Sequence, residues 1–162
     1  TITIKTESDT LMSSQSLDCY IIPSEPKPIL LPVECVAEVV GQPVIDKLEK
    51  APAKWMQGHV NWKGQRLPVM SYAGLLGTAT DGKERPDPHL VVLNPIPNAA
   101  RKAYSSLLCY GDIKRVTVEP NLEFGTPPEG GDRRYVEAVI KLGDKEFVVP
   151  KLTALSVAFS YF

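Results

Sequence analysis

Short apolar runs alternate with chain breakers along the whole chain, and no apolar periodicity lasts long enough for a long helix. LDCYII, residues 17–22, predicts a strand ended by PSEPKP. ILLPVECVAEVVG follows. Its alternation from 33 to 40 predicts one strand, with Val33, Cys35, Ala37 and Val39 on one face and Glu34, Val36, Glu38 and Val40 on the other. Residues 51–57 predict one or two helical turns stopped by Gly58. HVNWK and QRLPVMS predict two strands. Gly64-Gln65 predicts a tight hairpin between them, because glycine supplies the positive φ that primed turns need.

Further on, Tyr72 to Leu76 predicts a helical turn capped by Gly77, and HLVVLN predicts a strand. Residues 95–102 read as a loop. The apolar run from Tyr104 to Val118 is broken at Gly111-Asp112 by a bulge or a hairpin turn. Residues 119–134, with PPEGGD, predict a long, mobile loop. The segment 135–150 predicts a hairpin around Gly143-Asp144, and Leu152, Leu155 and Phe159 recur at the spacing of a short C-terminal helix.

Eight to ten short strands with two or three small helices predict an all-β protein, one barrel or a pair of barrels rather than βαβ units. Residues 1–16 are polar and unpatterned and read as a flexible arm, leaving 17–162 as a single domain. Within it TATDGKERPDP, 78–88, is the best candidate for a linker between two halves. Fifteen prolines in 162 residues are about twice the usual ~5% and keep helices short. Those at 32, 68 and 150 predict edge strands, whose free backbone groups could pair with another chain.

Composition narrows the function mainly by exclusion. Lys plus Arg (18) nearly balances Asp plus Glu (19), and no basic stripe occurs, which argues against nucleic acid as a partner. Cys19, Cys35 and Cys109 form no CxxC pair and each lies in an apolar run, so they read as free thiols of a cytoplasmic protein. The N-terminal stretch has no apolar h-region, and no run approaches the roughly 18 apolar residues of a membrane span. Direct membrane insertion is therefore not expected.

Catalytic groups are sparse. His59 and His89 read as surface or half-buried strand residues, with no cysteine or carboxylate at metal-ligand spacing. G-x-S-x-G, P-loop and dinucleotide-binding glycine patterns are absent from the sequence. Glu34 and Glu38 on one strand face would stand about 13 Å apart, beyond the roughly 5–9.5 Å of a glycosidase pair. An enzyme would need Tyr104, Asp112 or His59 to converge in a cleft, and no cofactor is indicated. What remains is apolar or aromatic material where polar residues are expected: Val36 between two glutamates, Trp62 in a polar strand, and Trp55-Met56. Apolar residues rimmed by charge read as a protein interface.

The segment GHVNWKGQRLPV, 58–69, resembles a pattern of the CheW-like family: Gly, an apolar strand, Asn-x-Arg-Gly, three residues and Pro. VAEVVG (36–41), Ala51-Pro52, SYAGLLG and the closing VEAVIKLGDKEFVVPKLTAL resemble further family segments. The resemblance implies two small SH3-like five-stranded β-barrels with a hydrophobic junction. It also implies a non-catalytic coupling protein that links the regulatory domain of a CheA-like histidine kinase to the cytoplasmic tip of methyl-accepting chemoreceptors. By resemblance, Val36, Glu38, Gly58, Trp62 and Lys63 stand at or near partner contacts. Lys63 replaces the family arginine, keeping the charge but losing bidentate donors. Trp62 replaces an aliphatic residue, and Gly111 stands where an aspartate is expected. These departures resemble the ChpC-like branch of type IV pilus (twitching) systems. An SH3-like barrel that binds a peptide or small molecule outside chemosensing is the alternative.

Overall fold

The computed structural model describes residues 16–25, 27–50, 53–76, 86–97, 99, 103–126 and 133–162. Nearly all of the N-terminal arm, most of the 78–88 linker candidate, the Gly77 cap, Ala51-Pro52 and the centre of the 119–134 loop lie outside them. The strands are β1 (Leu17–Ile22), β2 (Ile29–Pro32), β3 (Val36–Gly41), β4 (Asp46–Lys47), β5 (Met56–Trp62) and β6 (Gln65–Met70). A short α1 (Tyr72–Leu75) precedes β7 (Pro88–Leu93), β8 (Ser105–Tyr110), β9 (Lys114–Val118) and β10 (Glu123–Phe124). The chain closes with β11 (Val136–Leu142), β12 (Lys145–Pro150) and α2 (Leu152–Phe159).

Among the described residues these strands form two sheets of six, ordered β10-β11-β12-β2-β1-β9 and β3-β7-β8-β6-β5-β4. Each holds five longer strands and a two-residue edge, β10 or β4. The chain leaves the first sheet after β2, builds the whole second sheet, and returns at β9. The halves are therefore interlocked rather than strung in sequence.

Burial explains why the sequence carries continuous apolar runs. In β7, Leu90 and Val92 face a small core with Val60, Leu67 and Val69, whereas Val91 and Leu93 face a larger one. The larger core joins Ile22 and Leu30 of the first sheet, Met70 and Leu107 of the second, and Leu155 and Phe159 of α2. Strands at the junction bury both faces, so alternation disappears there. Each fully buried leucine contributes about 2 kcal/mol relative to an exposed one.

The hairpin at Gly143-Asp144 and the helix at 152–159 form as the sequence predicts. The single strand over 33–40 does not. Val33–Cys35 form a 3-10 turn, and β3 starts at Val36 with a bulge before Glu38. Asn94 clamps this turn: its side-chain amide donates to the Glu34 carbonyl at 2.9 Å, and its backbone N–H donates to Cys35 at 3.0 Å. Glu34 consequently does not share a strand face with Glu38.

The helix predicted before Gly58 reduces to one hydrogen-bonded turn, Met56 N–H to the Ala53 carbonyl at 3.1 Å, and Gly58 lies inside β5. The β5–β6 turn is Lys63-Gly64, not Gly64-Gln65: Trp62 pairs with Gln65, and both turn residues have positive φ, 47° and 77°. That is the signature of a type I′ turn. At Gly111-Asp112 the chain makes neither bulge nor hairpin; it crosses from β8 in one sheet to β9 in the other. The 119–134 segment contains a strand, β10, paired to β11.

The three prolines also differ from expectation. Pro32, Pro68 and Pro150 lie in β2, β6 and β12, all interior strands. They are tolerated because the parallel ladders beside them are short, one pair between β12 and β2 and two between β6 and β8. Pro68 pairs with His59 of β5 but lies just outside the β6–β8 ladder, and its carbonyl accepts from the Ser106 hydroxyl at 2.7 Å.

Candidate functional site: an acid, an indole and a lysine at the rim of the second sheet

Three of the five residues singled out in the sequence meet. Trp62 ends β5 and packs partly into the small core. Its indole Nε1–H donates to Glu38 Oε1 at 3.0 Å. The Lys63 ammonium approaches the same oxygen at 3.9 Å and lies 5.0 Å from the centroid of the Trp62 ring. Lys63 is 70% exposed and Glu38 44%, so the pair is open to a partner. As an exposed ion pair it contributes at most about 1 kcal/mol to folding.

Tyr104 supports the group from below, its ring 5.0 Å from that of Trp62 and tilted by 52°. In the sequence Tyr104 reads as a catalytic candidate, and here it serves as a ring support instead. The signal for this other role was an aromatic residue immediately ahead of the β8 run.

Val36 and Gly58 are placed elsewhere. Val36 pairs with Leu93 and packs against the larger core, half-buried near the junction of the sheets. Gly58 is buried under β4: a Cβ on it would lie 2.1 Å from the Asp46 carbonyl oxygen. Its glycine identity is required by that close backbone approach and by a φ of 147°. An outer ion pair, Arg66 to Asp46 at 2.9 Å, bridges β6 and β4 over this contact.

Beside Val36 the junction opens into a cleft of about 310 Å³, lined by Glu34, Cys35, Leu93, Ile96 and Leu152 among others. Its walls are the 3-10 turn, the end of β7, the Pro-rich loop after it, and the start of α2. The lining is mostly apolar, with Glu34 and Asn94 as its polar residues.

The candidate catalytic groups serve separate neighbours. His59 packs edge-on against Phe162, centroids 5.8 Å apart, while Tyr104 packs on Trp62. Burial lowers the His59 pKa, Arg66 lowers it further, and Asp46 opposes them. His89 Nδ1 lies 3.1 Å from the Asp87 carbonyl. Among the described residues, no group of three His, Cys, Asp or Glu could hold a metal ion, and no helix is long and apolar enough to cross a membrane.

Two interlocked six-stranded β-sheets sharing a core, with a charged aromatic rim and an apolar junction, define an all-β domain. A CheW-like domain profile matches residues 24–150, and the chain belongs to that family, whose members act as scaffolds in chemotaxis signalling. A solved structure of similar fold is the scaffolding protein TtCheW from Thermoanaerobacter tengcongensis. It has a TM-score of 0.66 and 21% identity, over 87% of this chain and 88% of that one. No curated protein sequence matches significantly.

Proposed function

We propose that this chain is a non-catalytic chemosensory coupling scaffold that joins the regulatory domain of a CheA-like histidine kinase to the cytoplasmic tip of a methyl-accepting chemoreceptor. The observation that carries the reading is the convergence of Glu38, Trp62 and Lys63 on one exposed rim. A linker must hold two partners at once, which requires two separate surfaces. The rim offers charge and hydrogen-bonding groups suited to a folded domain. The junction cleft beside Val36 offers apolar depth for side chains from a helical hairpin. Gly58 contributes indirectly, through the β4–β5 approach that shapes the strand leading to the rim. The departures at Lys63, Trp62 and Gly111 support a place in a type IV pilus pathway, acting in the cytoplasm beside membrane receptor arrays.

Binding of the purified protein to a kinase regulatory domain and to a receptor cytoplasmic hairpin tests this directly. Micromolar dissociation constants for both are expected. Lys63→Glu should weaken the kinase complex about tenfold, or about 1.4 kcal/mol. Absence of binding to either partner at tens of micromolar sinks the reading. A second reading, a barrel that captures a peptide or small molecule outside chemosensing, draws on the cleft, whose size lies near the lower end of ligand pockets, roughly 300–1,000 Å³.

A further inference from the structure

We infer that Trp62, braced by Tyr104, is the positioning residue of the rim: it holds Glu38 and Lys63 as one rigid acid–base pair rather than two independent side chains. This rests on the reading above and adds what presents the contact.

Glu38 projects from β3, an edge strand of its sheet among the described residues. A glutamate there would ordinarily sample many rotamers, and fixing it on binding costs up to about 2 kcal/mol. The indole N–H is a donor with no acceptor capacity, so its only useful partner is an oxygen. It takes Glu38 Oε1, the oxygen that Lys63 also approaches. Both contacts converge on one carboxylate oxygen, which among the described residues leaves Oε2 as the acceptor for a partner.

Lys63 is held from two sides. The type I′ turn fixes its backbone at φ 47°, and its ammonium lies over the Trp62 ring. Trp62 is fixed in turn by the Tyr104 ring and the small core. An aliphatic residue at 62 could fill the core but could neither donate to Glu38 nor attract the ammonium. The partner surface that fits is therefore one presenting a donor, for Oε2, beside an acidic group or carbonyl, for Lys63.

A double-mutant cycle on binding to the kinase regulatory domain tests this. W62F keeps an aromatic ring on Tyr104 and removes the N–H. We expect W62F and E38A each to weaken binding about tenfold, and the double variant to bind no more weakly than E38A alone. E38Q, which keeps an acceptor oxygen, should retain Trp62's influence. Melting temperatures control for folding, since a merely structural Trp62 would lower stability without coupling to Glu38. Independently, the Trp62 indole N–H resonance of the otherwise unmodified protein should shift and exchange faster in E38A. Additive losses, wild-type binding by W62F, or an unmoved indole resonance overturn the inference while the coupling function stands. Failure of the wild-type protein to bind the kinase domain defeats the rim as an interface, and the inference with it.

Discussion

Trp62 Nε1 lies 3.0 Å from Glu38 Oε1, although four strand steps separate β5 from β3 in their sheet. In a flat sheet those strands would stand about 19 Å apart at ~4.8 Å per step. Two side chains reaching along the surface could not span that gap. The second sheet must therefore curl until its two sides face each other, which encloses Val60, Leu67, Val69, Leu90 and Val92. The same curvature that makes a small core also makes the rim. Fold and candidate site are thus consequences of one closure.

Gly58→Ala should be severely destabilising. The added methyl would meet the Asp46 carbonyl carbon and oxygen at 2.9 and 2.1 Å, both backbone atoms that cannot rotate away. The φ of 147° is also strained for any side chain. Relieving both requires β4 to leave β5, at a cost of about 3 kcal/mol or more. Thermal melts should show a midpoint lowered by roughly 6–12 °C. A variant that melts like the wild type while losing partner binding would instead make Gly58 a contact residue.

Lys63→Asn should separate stability from function. Lysine is poorly suited to φ 47°, whereas asparagine tolerates this region and is favoured in type I′ turns. The lost ion pair with Glu38 is exposed and worth at most about 1 kcal/mol. Stability should therefore hold or rise by up to about 1 kcal/mol, while kinase-domain binding falls about tenfold with the loss of the ammonium. Denaturant melts and titrations on the same preparations check both halves.

Burial pushes the Cys19 and Cys109 thiols up to about 12, and raises the Cys35 and Tyr72 pKa values as well. Each group is held neutral in the folded chain and ionises more readily when unfolded. Their contribution to stability is complete below the unfolded thiol value of 9.0 and is lost progressively as pH rises toward about 12. Melting temperature should fall across that window. At neutral pH a thiol reagent should label half-buried Cys35 before Cys19 or Cys109. Rapid labelling of all three in the native protein would contradict the burial.

The sequence made the hairpins and the C-terminal helix legible because their signals are local: Gly143-Asp144 sits between alternating strands, and Leu152, Leu155 and Phe159 mark one helix face. It also singled out Glu38, Trp62 and Lys63, but not the reason they belong together, which depends on the curling of a whole sheet. The errors have a common origin. Alternation across 33–40 continues through a 3-10 turn held by Asn94, sixty residues away from Glu34. The prolines suggest edges only if ladders run the full length of strands, and here the parallel ladders stop short. Tyr104 shows its role only through a ring contact between distant strand ends.

Val36 carries the last prediction, and the structure changes what its substitution tests. On an outer strand face Val36→Asp would leave the fold intact, which is the expectation that alternation alone supports. Val36 instead packs against the larger core and pairs with Leu93, a residue that lines the junction cleft. A carboxylate there is driven partly out of water against the larger core, at roughly 2–4 kcal/mol, so the melting temperature should drop along with binding. Val36→Ala is the cleaner probe. It removes two methyl groups at about 1 kcal/mol, a shift of roughly 2–4 °C, and leaves the fold competent. If the cleft receives an apolar side chain from the receptor hairpin, Val36→Ala should weaken that complex several-fold while kinase-domain binding stays near wild type. Equal loss of both complexes would mean that Val36 acts through the fold, and that cleft and rim are not separate surfaces.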